Sequence, residues 1–128
     1  DNYYGYDDAL YAAVRFLSRV ACLNGSLAAW HAKLPKLVNT PEIRIACADE
    51  RKFFVIEEVR ARLAASGAEV NATDGVRVRE AEGWWLLRAS NTQAVLVARA
   101  EADDAAGLDI LKGRLTHQLA ASGLSVSL

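Results

Sequence analysis

The spacing of apolar residues changes near residue 36, and the two parts of the chain predict different structures. Before this point apolar residues recur every three or four positions, which is the spacing of one face of an α-helix. Four residues follow it first: Leu10, Val14, Leu17 and Ala21. Asn24-Gly25 breaks the pattern, and a shorter stripe follows at Leu27, Trp30 and Leu34. These residues predict a helical hairpin, with its first helix over residues 6–21 and its second helix capped by Ser26 and stopped by Pro35.

Both prolines of the chain lie in the short segment from Pro35 to Pro41. No residue of this segment extends either helical stripe, and its composition is typical of a linker. We therefore predict a domain boundary here, with residues 1–36 forming the helical hairpin and residues 37–128 forming a second domain.

Beyond the boundary, runs with the period of a strand alternate with runs with the period of a helix. Four runs predict strands: Glu42–Cys47, Val76–Glu80, Trp84–Ala89 and Ala94–Ala102. One helix follows the first strand, with a predicted core stripe of Phe53, Ile56, Val59 and Leu63. Another follows the last strand, with a stripe of Leu108, Leu111, Leu115 and Leu119. Leu124–Leu128 is a candidate for an additional tail strand.

Caps and turns complete this prediction. Asp49 and one of Asp103 and Asp104 can cap the two helices, and Gly67 and Gly123 can end them. The fold class is therefore α+β, with an antiparallel four-stranded sheet and two helices on one face, preceded by the hairpin. The strands over residues 84–89 and 94–102 are apolar on both faces, which indicates cover on both sides or docking against another domain.

Composition and charge narrow the classes of function. The net charge is -1 and 24% of the residues are charged, which argues against a broad surface for nucleic acid or anionic lipid. No run is long and apolar enough for a spanning helix, and the first residues do not resemble a signal peptide. Cys22 and Cys47 lack metal-ligand spacing, so we expect buried, reduced thiols and no metal site. A cytoplasmic protein fits these features, with neither nucleic acid nor membrane as a partner.

The connection after Arg88 is the strongest candidate for a binding site. A guanidinium can hold two phosphate oxygens, Ser90 and Thr92 can donate hydroxyl hydrogens, and backbone N–H groups of the turn can converge on the same anion. An ordinary polar turn, whose side chains bond their own backbone, remains the alternative at this point.

Other polar and aromatic residues predict structural roles. His31 and His117 lack companions for catalysis, and the adjacent carboxylate pairs Asp103-Asp104 and Glu57-Glu58 suit capping and solvation. Trp84 and Trp85 point to opposite sides of a strand, so we expect one of them in the core. Arg77 and Arg79 share a strand face and predict a solvated surface.

Three spaced runs together resemble a known family: Asp74–Val78, Gly83–Thr92 and Val95–Ala102. They resemble the C-terminal domain of the α-D-phosphohexomutases, and Arg-Ala-Ser-Asn-Thr at 88–92 is similar to the bacterial phosphomannomutase/phosphoglucomutase branch. The resemblance covers residues 37–122, and the segment from Tyr4 to Ala9 resembles the end of the preceding sugar-binding domain. It departs from the family at Ala94, where proline is frequent.

The resemblance implies an isomerase of carbohydrate metabolism. Such an enzyme moves phosphate between the 1- and 6-positions of mannose or glucose through a phosphoserine, a bound magnesium ion and a bisphosphate intermediate. Its last domain holds the non-reacting phosphate of the hexose phosphate. Carried onto this sequence, the contacts are Arg88, Ser90, Asn91 and Thr92, with Gln93 contributing through its backbone.

The motifs for the chemical step have no match here. The sequence contains no phosphoserine loop of the family, no Asp-x-Asp-x-Asp metal loop and no Glu-x-Ser-Gly-His sugar loop. We therefore expect no catalytic residue and no metal ligand in this chain, which would be an inactive fragment whose partners are the missing N-terminal domains. A stand-alone α+β module for anion binding or protein interaction remains the alternative, and the choice between mannose and glucose stays open.

Overall fold

Antiparallel pairing organises the strands of the computed structural model, which describes residues 3–126 and 128. Among these residues the structure has six strands: β1 (Val38–Asn39), β2 (Ile43–Ala46), β3 (Val70–Asn71), β4 (Val76–Glu80), β5 (Gly83–Ala89) and β6 (Val95–Ala102). The sheet order is β1-β6-β5-β4-β3, and β2 also pairs with β6. The last three long strands form the predicted meander, because short turns join them.

The chain divides into two compact units, Asp1–Pro35 and Lys36–Leu128. The first contains helices α1 (Ala9–Ala21) and α2 (Leu27–His31). Helix α1 begins later than predicted, because the side chain of Asp8 accepts the backbone N–H of Tyr11 at 2.9 Å and caps the helix there.

Helix α2 begins after its predicted N-cap, since the Ser26 hydroxyl oxygen accepts the backbone N–H of Ala29 at 3.1 Å. It ends at His31 instead of running on to Leu34. The predicted apolar stripe of α1 is exposed, including Leu10, Val14 and Leu17.

Helices α3 (Asp49–Ala65) and α4 (Ala105–Ala121) cover one face of the sheet in the second unit. The core between them and the sheet contains Trp85, Leu87, Leu96, Val55, Val59, Leu111, Leu115 and Leu119, all with less than 2% of their surface exposed. Asp104 caps α4 by accepting the backbone N–H of Gly107 at 2.8 Å. This confirms the predicted α+β class with two helices on one face of an antiparallel sheet.

The predicted number of strands was wrong. The two additional strands, Val38–Asn39 and Val70–Asn71, have two residues each, which is too short to produce a period-two pattern. The possible tail strand over residues 124–128 does not form among the residues described there, and Ser127 lies outside the described part of the chain.

Two predictions about α3 were also wrong. Phe53, from the predicted core stripe, is 53% exposed, whereas Lys52, a charged residue outside that stripe, is 4% exposed. At about 100° per residue, Lys52 lies about 20° around the helix from Val59, while Phe53 lies about 120° away. Asp49 is the first helical residue, and the N-cap position belongs to Ala48, which makes no side-chain cap.

The cysteines differ from the prediction in one case. Both thiols are free, but Cys22 is exposed and only Cys47 is buried. Desolvation raises the pKa of the Cys47 thiol, and the nearby cations of Arg51 and Lys52 oppose this increase. No helix in residues 3–126 combines the length and apolar character needed to cross a membrane.

Candidate phosphate-binding site

The candidate site lies where β5 ends and turns back into β6. Arg88 is the penultimate residue of β5, and its side chain is 34% exposed. The backbone N–H of Ser90 donates to the carbonyl oxygen of Val95 at 3.0 Å, which closes the hairpin over residues 91–94. Arg88 and the four predicted turn residues therefore lie together at one end of the sheet.

The turn itself is organised by Ser90. Its hydroxyl oxygen accepts the backbone N–H groups of Thr92 at 3.4 Å and Gln93 at 3.2 Å. Ser90 is 8% exposed, whereas Asn91, Thr92 and Gln93 are exposed. Two of the backbone N–H groups of the turn, including that of Gln93, thus donate to Ser90 and not to an anion. Among the described residues, no hydrogen bond uses the hydroxyl hydrogens of Ser90 and Thr92 or the backbone N–H of Asn91.

Helix α3 supports the turn from below through a residue that sequence reasoning missed. The Lys52 ammonium donates to the carbonyl oxygen of Gln93 at 3.0 Å and to Asp49 Oδ1 at 2.6 Å. The side chain of Gln93 is held separately, because its oxygen accepts a hydrogen bond from the Arg44 guanidinium. Gln93 is therefore fixed at both its main chain and its side chain.

Within the described part of the chain, the guanidinium of Arg88 has one counter-charge, and it is a distant one. Its Nε lies 4.0 Å from Asp74 Oδ2, and the Asp74 side chain is 73% exposed. An exposed pair at this distance contributes little, since water screens both charges. Most of the positive charge of Arg88 is thus available for an external anion.

Gly75 allows the preceding turn to approach Arg88 closely. Its φ is +77°, and a Cβ on it would lie 2.4 Å from the Leu87 carbonyl oxygen and 2.7 Å from Arg88 Cα. Contacts this short with backbone atoms exclude any side chain at position 75. Glycine is therefore required for the packing that sets the end of β5.

The face of the sheet opposite the helices carries a concentration of positive charge. Cross-strand pairing aligns Arg77, Leu86 and Arg99 in one row, and Arg88 and Arg44 flank Val97 in the next. The Arg77 guanidinium lies 4.5 Å from the centroid of the Trp84 ring. Together with Arg79, five arginines share this face: Arg44, Arg77, Arg79, Arg88 and Arg99. Arg77, Arg79 and Arg99 are exposed, so their charges favour an approaching anion, whereas Arg44 is paired with Glu42 at 2.9 Å.

One acid on this face is already engaged. Glu101 pairs across the strands with Trp84, and its Oε1 accepts the indole N–H at 3.0 Å. Trp85, the next residue, points into the core, where its indole N–H donates to Glu80 Oε1 at 2.8 Å. The two tryptophans therefore face opposite sides of β5, as predicted.

Two of the cavities that border this domain lie at opposite ends of its sheet. A cleft of 190 Å³ beside the turn is lined by Asp74, Gly75, Ala89 and Asn91, among others. A larger cavity of 620 Å³ lies at the other end of β4 and β5, around Glu80. The larger cavity contains none of the candidate residues from Arg88 to Gln93, so cavity size does not identify the candidate site.

The described residues do not fit a magnesium ion. Over residues 3–126 and at residue 128, no group of three or more His, Cys, Asp or Glu side chains is arranged to hold a metal. The donors at the turn are cations and N–H or O–H groups, which suit an anion.

Comparison with known proteins relates the chain to one family. Residues 42–118 match the protein family described as phosphoglucomutase/phosphomannomutase, C-terminal domain. A phosphomannomutase/phosphoglucomutase of Pseudomonas putida is 40% identical over 93% of this chain and 26% of its own length. A phosphoglucomutase of Neisseria gonorrhoeae is 35% identical over 89% of this chain and 25% of its own length.

A solved structure supports the same relationship. The crystal structure of a phosphoglucomutase/phosphomannomutase family protein from Burkholderia thailandensis superimposes with a TM-score of 0.78 and 34% identity, over 98% of this chain and 26% of that chain. The chain therefore spans about a quarter of the length of the relatives that it matches. It belongs to the phosphoglucomutase/phosphomannomutase family and carries the C-terminal domain of that family.

Proposed function

We propose that Arg88 and the turn from Ser90 to Thr92 bind the phosphate group of a hexose phosphate, and that Gln93, whose backbone N–H donates to Ser90, holds the turn in shape. The observation that carries this proposal is the position of Arg88, whose largely uncompensated guanidinium borders a turn with unused hydroxyl and N–H donors. A phosphate has oxygens enough to accept from the guanidinium and from the turn at once. Asn91 and Thr92 are exposed at the tip of the turn and supply the adaptable contacts.

The arginines on the sheet face opposite the helices attract a phosphate before it reaches the turn. Arg77 and Arg99 lie one cross-strand row from Arg88. Their charges raise the local concentration of anions near the turn, an effect that salt weakens. A neutral sugar would not benefit from this field, so the phosphate and not the sugar ring governs attraction to this domain.

Within this proposal the chain is the C-terminal substrate-binding domain of a longer phosphohexomutase. The relatives named phosphomannomutase/phosphoglucomutase and phosphoglucomutase are about four times as long. We extend to this protein the interconversion of hexose 1-phosphate and hexose 6-phosphate, with mannose or glucose as the sugar, through a phosphoserine and a bisphosphate intermediate. Phosphoryl transfer needs a nucleophile and a cation that neutralises developing charge. In the proposal both the phosphoserine and magnesium belong to other domains of the longer protein.

Two further assignments belong to the same proposal. Residues 1–36 are the end of the preceding sugar-binding domain, and residues 37–128 are the phosphate-binding domain. The protein acts in the cytoplasm, where a reducing environment keeps the thiols of Cys22 and Cys47 free.

The mutase part of the proposal is tested with the longer gene product that contains this chain. We expect it to convert glucose 1-phosphate to glucose 6-phosphate, and Arg88→Ala to lower kcat/KM by about tenfold or more. Arg114→Ala is the control, since Arg114 pairs with Glu80 at the other end of the strands. An inactive wild-type protein would contradict the mutase assignment, and unchanged kinetics for Arg88→Ala would contradict the role of the turn.

A further inference from the structure

We propose that Lys52 is a positioning residue for the phosphate-binding turn, acting through the main chain of Gln93. This inference rests on the proposed function, because it assigns a role within the same site. Lys52 lies on α3, forty-one positions before Gln93, and is 4% exposed. Its ammonium is thus a buried cation directly beneath the turn.

The contacts of Lys52 are directed at the turn. One N–H donates to the Gln93 carbonyl oxygen at 3.0 Å, and the same oxygen accepts the backbone N–H of Val95 at 2.8 Å. Both lone pairs of this carbonyl are therefore used, and the peptide between Gln93 and Ala94 is held in one orientation. That peptide separates the proposed ligand contacts from β6.

Stability of α3 alone does not explain a lysine at this position. The residue lies on the core side of the helix near Val55, Ile56 and Val59, where an apolar side chain would fill the space without desolvating a charge. Its acidic partner Asp49 is 64% exposed and is well solvated without Lys52. The Gln93 carbonyl is the contact that only a donor at position 52 provides.

The position of this donor favours binding in two ways. A turn that is already ordered loses less conformational entropy when a ligand binds. The ammonium also adds positive charge beside the turn, which the Asp49 carboxylate at 2.6 Å partly offsets. The structure therefore predicts that removal of Lys52 weakens phosphate binding, even where the fold is retained.

Helix α4 offers a matched control. Lys112 and Asp109 form an ion pair with the same i,i+3 spacing, with Nζ 3.3 Å from Oδ1. Lys112 makes no hydrogen bond to the turn among the described residues. Removing it changes the same kind of helical ion pair without changing the support of Gln93.

The test is titration of the 128-residue chain with glucose 6-phosphate at constant ionic strength, followed by backbone amide resonances. We expect Lys52→Met to raise the dissociation constant about fivefold or more and Lys112→Met to leave it unchanged. Lys52→Arg should recover part of the lost affinity, since it restores a cationic donor. Melting temperatures measured in parallel identify any change in stability, which by itself would not move the affinity of the folded protein.

The possible results separate the two proposals. Absence of a response at Ser90–Gln93 in the wild type would contradict the phosphate-binding function itself. If the wild type binds and Lys52→Met binds with the same dissociation constant, the role of Lys52 is contradicted, but the phosphate-binding function is not. If Lys52→Met does not fold, Lys52→Gln is titrated in its place. In the wild type, the Lys52 ammonium resonance should shift on ligand addition, and an unmoved resonance would overturn the inference.

Discussion

The hydroxyl oxygen of Ser90 accepts the backbone N–H of Gln93 at 3.2 Å, inside a turn whose outer residues are exposed. The interaction bridges the turn over Asn91 and Thr92. Ser90 thus shapes the turn through its oxygen, and in the proposed function its hydroxyl hydrogen also donates to the phosphate.

Replacement of Ser90 by alanine should affect both stability and binding. We expect Ser90→Ala to lower the free energy of unfolding by about 1 kcal/mol, because two N–H groups lose their acceptor. The affinity for glucose 6-phosphate should fall about fivefold or more through loss of the donor and of the fixed turn. Urea unfolding and ligand titration measure the two effects. Ser125→Ala, at an exposed serine, is the control, and equal behaviour of the two variants would argue against a special role for Ser90.

Two glycines with nearly the same φ should respond differently to substitution. Gly75 has φ +77°, and a methyl group added there would meet backbone atoms within 2.7 Å, whereas Gly67 has φ +74° and open space around it. Gly67→Ala should cost about 1–2 kcal/mol of unfolding free energy from the left-handed conformation alone. Gly75→Ala should cost more and also weaken phosphate binding, because the clash displaces the backbone of Arg88.

Thermal or urea unfolding of the two variants tests this comparison. An equal loss for Gly67→Ala and Gly75→Ala would show that the approach of the Gly75 turn to β5 is not tight in solution. If Gly75→Ala keeps full affinity for the ligand, the packing at Gly75 does not influence the binding site.

Glu58 should make stability depend on pH in the acidic range. Its carboxylate accepts from both terminal nitrogens of Arg51, at 2.7 and 2.9 Å. The hydrogen bonds from Arg51 are the main cause that lowers the pKa of Glu58 from 4.5 to about 2, and a hydrogen bond from Ser122 adds to the effect. The folded state therefore holds the proton less tightly than the unfolded state. The Arg51–Glu58 pair therefore contributes to the free energy of unfolding above pH 4.5, and this contribution is lost as pH falls toward about 2.

Urea unfolding over this pH range measures the effect. Glu58→Gln should be less stable than the wild type at neutral pH, and its stability should fall less steeply on acidification. Glu57→Gln is the control, since Glu57 is the neighbouring acid on α3 and pairs with Arg60 near the surface. Parallel pH profiles for the wild type and Glu58→Gln would contradict a lowered pKa in the folded state.

The parts of the fold with a long repeating pattern could be predicted from sequence. The leucines at 111, 115 and 119 lie on the buried face of α4, and β4, β5 and β6 pair as the meander required. The similar segments Leu63–Gly67 and Leu119–Gly123 also share helix-ending chemistry. Ala68 N–H donates to the Leu63 carbonyl at 3.1 Å, and Leu124 N–H donates to the Leu119 carbonyl at 3.0 Å. These features could be predicted because local periodicity and capping determine them.

Features that depend on contacts distant in sequence could not be predicted in this way. The two-residue strands β1 and β3 have no period of their own and form only because a longer strand offers partners. From the sequence, Lys52 is predicted to lie at the surface, since charged side chains are usually solvated. Its burial follows from the Gln93 carbonyl, and nothing local to α3 indicates that this carbonyl lies above it. The exposed Cys22 likewise shows that residue type alone does not determine burial.

Titration of the isotope-labelled chain with glucose 6-phosphate tests the central claim most directly. We expect the backbone amides of Ser90, Asn91, Thr92 and Gln93 to shift with a dissociation constant of about 1 mM, because ordering the ligand offsets much of the contact energy. Glucose should produce no such shifts, and Arg88→Ala should remove them. Unmoved resonances in the wild type, or shifts of the same size in Arg88→Ala, would contradict the assignment of this turn as a phosphate site.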